Sequence, residues 1–482
     1  MRLASILIAT TAALALSAPA AAETLQGALA KAYNYNPTIT GARAQQRAND
    51  ENVPIQRAAG LPSVNATSRF TENVVTPSGQ TVTVGRQLDN QLQLNVPIYQ
   101  GGAVINSVRA ADRRVLAGEE QLRGTESSIF SQVVAAYNDV IRDQAIVELN
   151  RANVRQLEVN LQATRDRFEV GDLTRTDVAQ SEARRSLAIG DFETAQSNLI
   201  SSRERYIALV GDVPTDLQPP PPLPNLPATP EEAIQVAIKE NPDLLAAERN
   251  REAARYDVRV AEAGMLPKLS AFVSGGYTNL LNSISSSIPQ LDVQNSSKQV
   301  AAGLQATIPV FQGGRPGAQT RQAQARQAQS LEQVIGAERS VVQQVRAAYA
   351  AWKSSQEVIR STEASVSANT LSLEGVRAEN SVGNRTIIEI LNAEQELLNA
   401  QVQLVTARRN AYVAAFTLLA AMGRAEARDL NLEGVTLYDP VANYRRVRHK
   451  IWDYDSDPAP KTIATRTVDT PSQTPETLVG PK

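Results

Sequence analysis

Apolar residues along the chain follow two alternating periods, and the whole pattern occurs twice. Residues 25–60 are Ala-rich with helical spacing, interrupted at Pro37 and Pro54. The spacing then becomes strict alternation. Val64, Ala66, Ser68 and Phe70 share one face, and beyond a turn containing Pro77-Ser-Gly79 come Leu92, Leu94, Val96 and Ile98, with Gln91, Gln93 and Asn95 between them. Alternation of this kind predicts strands, so residues 62–99 carry one hairpin. Residues 267–311 carry another, with Leu269, Ala271, Val273, Gly275 and Tyr277, a Ser-rich loop, and then Val300, Ala302, Leu304, Ala306, Ile308 and Val310.

Behind each hairpin a long helix is predicted, over 102–170 and 314–381. Its apolar line recurs every seventh residue: Val133, Val140, Val147, Val154, Leu161 and Phe168 in the first, and Val345, Trp352, Ile359, Val366 and Leu373 in the second. A sustained heptad line means a coiled-coil seam. The companion line Ala136, Asp143, Asn150, Leu157 mixes apolar with polar, so that stripe is expected to meet water, and Asp139 and Asp143 to lie on the solvated face. At 1.5 Å per residue each helix is a rod of roughly 100 Å. The shorter helices expected over 25–60 and 173–211, and over 230–265 and 385–423, are each about half that length. Stacked end to end, each pair would match a rod.

The two passages are a duplication. Asn36-Pro37 recurs as Asn241-Pro242 and Leu61-Pro62 as Leu266-Pro267, about 205 residues on. Val96-Pro-Ile-Tyr-Gln-Gly-Gly102 recurs as Ile308-Pro-Val-Phe-Gln-Gly-Gly314, about 212 residues on, and that frame also relates Ala135-Ala-Tyr137 to Ala347-Ala-Tyr349, Val170-Gly171 to Val382-Gly383, and Gly211 to Gly423. The units are 23–211 and 230–423. A Pro-rich connector, 212–229, joins them, a further segment spans 424–452, and the tail 453–482, rich in Asp, Pro, Thr and Ser, reads as disordered.

Composition removes most chemistry. There is no Cys and one His among 482 residues, so thiol nucleophiles, Cys-ligated metals and His-based triads are excluded. A net charge of −2 offers no overall footprint for nucleic acid. Gly101-Gly102 and Gly313-Gly314 stand between strand and helix as phosphate loops do, but no GxGxxG or Gly-Lys-Ser/Thr follows. No catalytic group and no cofactor are expected. Residues 1–22 have a basic start, a short apolar run and an Ala-Ala-Ala ending, the pattern of a secretory signal cleaved after Ala22. No later run reaches the ~20 apolar residues of a membrane helix.

Four strands of bilayer length cannot close a useful barrel alone, and open edges are not tolerated in lipid. Two copies would give eight strands with a filled interior, whereas three would give twelve and a passage. In this duplicated strand-hairpin and helix unit, with its Pro-x-aromatic-Gln-Gly-Gly junctions and the turn segments Phe168-Glu-Val-Gly-Asp-Leu-Thr-Arg-Thr-Asp-Val178 and Ser381-Val-Gly-Asn-Arg-Thr-Ile-Ile-Glu-Ile-Leu-Asn392, the chain resembles the TolC family of outer-membrane channel proteins.

The resemblance implies a mainly α protein with a membrane β-barrel: a homotrimer whose twelve-stranded barrel continues into a twelve-helix periplasmic tunnel. It implies outer-membrane lipid around the barrel, a periplasmic adaptor, and an inner-membrane transporter of RND, MFS or ABC type exporting drugs or type I secreted proteins. The absence of Cys leans toward the TolC branch rather than the branch that begins with a lipid-modified Cys. The rival reading is a secreted or periplasmic coiled-coil structural or adhesive protein. The resemblance also assigns residues. Tips at Gly171, Asp172, Gly383 and Asn384 would dock the adaptor. Arg385 would latch onto Thr176 and Asp177, with Asn380 where the family has a Tyr, and Glu389 and Asn392 would form rings at the constriction, the second ring having lost its acid.

Overall fold

The computed structural model describes residues 23–75, 82–286, 294–430, 432 and 435–475. The signal expected over 1–22 and the turn at Pro77-Ser-Gly79 lie outside the described residues, as does the end of the tail.

The chain opens with α1 (Leu25–Tyr35), α2 (Pro37–Asp50) and α3 (Asn52–Ala58), then β1 (Ser63–Glu72), β2 (Val82–Val84) and β3 (Arg86–Gln100). α4 (Ala103–Glu169) and α5 (Arg175–Val210) complete the first unit. The second runs through α6 (Pro230–Glu240), α7 (Pro242–Glu262), β4 (Lys268–Asn279), β5 (Ile284–Ser286), β6 (Ser296–Thr307), α8 (Arg315–Ser381) and α9 (Ile387–Ala421), and α10 (Pro440–Val447) follows. The two rods are 67 residues each. No helix among the described residues is long and apolar enough to cross a membrane.

The hairpins do not stay separate. β3 pairs antiparallel with β4, so the sheet runs β1-β3-β4-β6, and β2 and β5 form a small second sheet. The register sorts the faces. Val64, Leu94, Val273 and Ala302 stand in one row, Ala66, Leu92, Gly275 and Val300 in the next along the same face. Asn65, Gln93, Ser274 and Ala301, then Thr67, Gln91, Gly276 and Gln299, line the other. One face is therefore apolar and the other polar, while β1 and β6 are left as edges. The strand ends show one irregularity and one departure from expectation. The register slips between Pro97 and Tyr99, because Pro97 has no N–H for the ladder, and β6 stops at Thr307, opposite the first residue of β4, rather than reaching 311.

The end-to-end stacking involves shorter helices than the segments 25–60 and 230–265: the backbone is extended at Asn36 and Asn241, so α1 and α6 stay outside the stack, α2 follows on the end of α5 and α7 on the end of α9, and one side chain makes each joint. Asn36 caps α2 by accepting from Thr38 N (2.9 Å), and its Nδ2 donates to Leu209 O at the end of α5 (2.8 Å). Asn241 caps α7 by accepting from Asp243 N (3.0 Å), and its Nδ2 donates to Ala421 O at the end of α9 (2.9 Å). An Asn carries both an acceptor and a donor, so it satisfies an orphan N–H of one helix and an orphan C=O of the other. Pro at the next position costs nothing, since that N–H has no helical partner.

The heptad line of α4 is buried from Val133 to Val147 and again at Leu161, and Phe168 emerges at the tip. The companion line departs from expectation: Ala136, Asp143, Asn150 and Leu157 are all buried, and so is Asp139. α4 packs against α5, α7 and α9 on several sides, so this stripe faces protein. Its acids are paired, Asp139 with Arg409 of α9 (2.8 Å) and Asp143 with Arg142 (2.7 Å). Along the connector, Tyr137, Tyr412 and Tyr349 direct their hydroxyls at the carbonyls of Gln218, Pro221 and Ala228 (2.7, 3.0 and 2.7 Å), holding a Pro-rich strand with few amides of its own. α10 packs on α2, where Asn443 donates to Asp50 (2.7 Å). Of the tail expected to be disordered, the described part comes to lie against the end of α5, where Thr465 meets Gly211 and Gln473 is buried, accepting from Arg203 Nε (2.6 Å).

Candidate functional site

The two helix turns are built alike, residue for residue. At the end of α4, Gly171 (φ 87°) adopts the left-handed conformation, with Gly171 N donating to Phe168 O (3.0 Å) and Asp172 N to Arg167 O (2.9 Å). At the end of α8, Gly383 (φ 85°) does the same: Gly383 N donates to Asn380 O (3.0 Å) and Asn384 N to Glu379 O (3.0 Å). A side chain at φ near +86° would meet its own carbonyl, which is why both positions are Gly. Each turn leads into a helix opened by a capping box. Thr174 N donates to Asp177 Oδ2 (2.9 Å), and Thr386 N to Glu389 Oε2 (2.8 Å).

These boxes change the roles of two residues. Asp177 and Glu389 occupy the same place in the two units, and each is engaged by its own helix start. The bonds from Thr174 hold Asp177 below the usual carboxylate range. Glu389 is held down at about 2, chiefly by the Thr386 amide and then by Arg385. The Thr-x-x-acid spacing of both boxes is legible in the sequence as a helix-start signal, one that competes with the roles the family resemblance gives Asp177 and Glu389.

Arg385 does not reach Thr176 or Asp177 within the chain. Its guanidinium forks between Glu379 Oε2 and Glu389 Oε1, both at 2.6 Å, and these carboxylates raise its pKa. They lie six and four residues away on the same tip, nearer than anything on the first tip. Thr176 is exposed, while Asn380 donates to the Arg385 carbonyl (2.7 Å) and so braces the turn that carries the arginine. Glu389 is thus no free acid: the carboxylate expected to form a ring is partly neutralised by its neighbour.

Above the tips the two helix pairs are joined. Arg184 of α5 donates to Asn392 Oδ1 of α9 (2.7 Å), so Asn392 ties the units together. Higher still, Glu394 is buried between α4, α8 and α9, accepting from Asn160 (2.8 Å) and Arg377 (2.7 Å). Arg184, Asn160, Arg377 and Glu394 were not anticipated. Yet Arg377 and Glu394 repeat Arg165 and Glu182, which pair at 2.5 Å in the first unit, so the duplication carried the signal. At the tips themselves Val170 and Val382, again equivalent, are 74% and 71% exposed, an apolar pair presented outward next to Gly171, Asp172, Gly383 and Asn384.

Comparison with known proteins adds to this geometry. Residues 28–212 and 233–424, almost the bounds of the two units, match the sequence model of a family described as outer membrane efflux protein. The outer membrane efflux protein BepC of Brucella suis is 33% identical over 433 residues, covering 89% of this chain and 92% of that protein. The alkaline protease secretion protein AprF of Pseudomonas aeruginosa is 28% identical, covering 83% and 84%. Among solved structures, the Campylobacter jejuni CmeC outer membrane channel superposes with a TM-score of 0.72 at 18% identity, covering 88% of this chain and 89% of that one.

Proposed function

The chain belongs to the outer membrane efflux protein family, the TolC-type channels, and on that premise we propose that it works as a homotrimer gated at its helix tips. It is an outer-membrane exit duct, with a β-sheet domain for the membrane and long helices for the periplasmic tunnel. The family is one of channels rather than enzymes, and membership displaces the reading as a secreted structural rod.

The observation that carries the trimer is the sheet. Its rows are apolar on one face and polar on the other, and its edges, β1 and β6, are unpaired. Three such sheets joined edge to edge give twelve strands and a passage. At the β6 end, Ile308, Val310 and Phe311 are exposed and would gain cover from a neighbour. α8, the rod on the flank of the layer, is buried far less than α4, as a helix awaiting a neighbouring copy would be.

The tips are the gate and the docking site in this reading. Arg385, held by Glu379 and Glu389 within its own chain, would reach Thr176 and Asp177 only across to another copy. Val170 and Val382 offer an adaptor an apolar contact. What passes through would be chosen by the inner-membrane transporter, of RND, MFS or ABC type. Both uses occur among its relatives, BepC being described as an efflux protein and AprF as a protease secretion protein. Mass measurement in detergent is expected to find three chains. A monomer that conducts in a planar bilayer would overturn the proposal.

A further inference from the structure

The segment after α10 continues along α3 in the direction of the sheet and carries exposed aromatic residues. Asn443 bonds Asp50 on α2, and six residues later His449 Nδ1 lies 2.6 Å from Arg57 on α3, so the chain climbs alongside α2 and α3 toward the sheet. Arg57 also donates to the Arg448 carbonyl (3.2 Å). Beyond Arg57 little height remains. A Cβ on Gly60 would lie 2.9 Å from Val104, at the start of α4, and β1 begins at Ser63. Arg57 is therefore about one helical turn, ~5 Å, below the level where helices give way to strands.

From that level the chain forms a closed loop. Asp455 N donates to Trp452 O (3.3 Å), Lys450 pairs with Asp455 (2.6 Å), and Asp457 returns to Arg446 through two bonds (2.7 and 2.8 Å). At its end Ile451, Trp452 and Tyr454 are 70%, 72% and 86% exposed, the two rings packing against each other at 6.1 Å. Arg445 and Arg448, in the turn that leads into the loop, are exposed.

We infer that this loop, residues 446–457, is a membrane-surface anchor whose Trp452, Tyr454 and Ile451 enter the phospholipid headgroup layer beside the barrel. Headgroups extend about 5–7 Å beyond the hydrocarbon core on each side, which matches the height at which the loop is tethered. Trp and Tyr favour that layer because each has an apolar body and one polar group, and Arg445 and Arg448 suit phosphate there. Two ion pairs hold the loop shut, so little ordering is left to do on contact. The anchor would fix the height of the tunnel relative to the bilayer from outside the sheet. The inference rests on the outer-membrane reading.

The protein has two Trp, and the other, Trp352, is in the α8 core at 9% exposed. The difference in emission between the full protein and Trp452→Phe therefore reports position 452. In phosphatidylethanolamine/phosphatidylglycerol vesicles, lipids brominated close to the headgroup should quench that difference signal by roughly half and shield it from aqueous iodide. Opening the staple with Arg446→Ala should reduce both effects. A signal that iodide reaches equally in vesicles and in detergent, and that brominated lipid leaves unchanged, overturns the anchor. So does a signal shielded from iodide that brominated lipid leaves unchanged, which would mean contact with another copy. Vesicle flotation, measured in parallel, separates the cases: a protein that floats with an unquenched Trp452 refutes only the anchor, while one that does not float refutes the membrane reading.

Discussion

Asn36 is the point at which one side chain holds two helices in line, and its replacement separates capping from splicing. It is 3% exposed, accepts from Thr38 N at 2.9 Å and donates to Leu209 O at 2.8 Å. Asn36→Ser keeps a cap acceptor but is too short to reach Leu209, losing one hydrogen bond and leaving a half-buried carbonyl bare, about 1–2 kcal/mol. Asn36→Ala removes the cap as well, for about 2–4 kcal/mol per copy. Asn36→Asp is decisive. Asp caps a helix as well as Asn does, yet here its second oxygen would face the Leu209 carbonyl, acceptor against acceptor, so it should cost at least as much as Ser. Hydrogen exchange of peptides covering 38–40 and 205–212 in detergent reads the joint locally. The expected order of protection is wild type, then Ser, then Ala and Asp. Wild-type protection of 205–212 in Asn36→Asp would show that only capping matters and that α2 and α5 are not spliced by this residue.

Because Arg385 screens Glu389, Arg385→Ser should both enlarge the aperture and unmask carboxylates, raising conductance and cation selectivity together in planar bilayers. Glu389→Gln should lower selectivity only slightly, and if neither variant changes conductance or selectivity, the tips are not the constriction. Burial lifts Glu126 from 4.5 to about 7 where it accepts from Ala427 N, so the unfolded chain ionises first as pH rises. The associated stability, roughly 3 kcal/mol, is present below about pH 4.5 and lost as pH rises through about 7. Melting should thus be lower at pH 8 than at pH 5, and Glu126→Gln should flatten that profile as measured by circular dichroism. Glu394→Ala leaves Asn160 and the half-exposed Arg377 without their shared partner, so it should destabilise by about 1–2 kcal/mol, read as easier proteolysis near the tips. In the sheet, Gly303→Val would press on the Phe272 ring, which a Cβ at 303 would meet at 3.1 Å, and should lower the yield of folded barrel on gels run without heating.

Local order was written in the sequence. The 2.0 and 3.6 periods placed the strands and rods, and the duplication set the two units. Gly171 and Gly383 marked the turns, because only Gly takes a φ of 87° or 85° without strain. Even the faces of the sheet followed, since Val64 and Leu94 alternate with polar neighbours whatever strand they meet. Partnership was decided only by the tertiary structure. Nothing in the line Ala136, Asp143, Asn150, Leu157 distinguishes a wet stripe from one lying against other helices, and it was the packing of α4 that buried Asp139 and Asp143 beside Arg409 and Arg142. The sequence offered Arg385 acids on both tips, and distance assigned it to Glu379 and Glu389. Asn36 and Asn241 were visible as repeat anchors, but their second bond needs a helix end about 170–180 residues away in sequence. Periodicity is a property of neighbours along the chain and survives without the fold; an ion pair or a splice between distant segments exists only when the fold has brought its two ends within 3 Å.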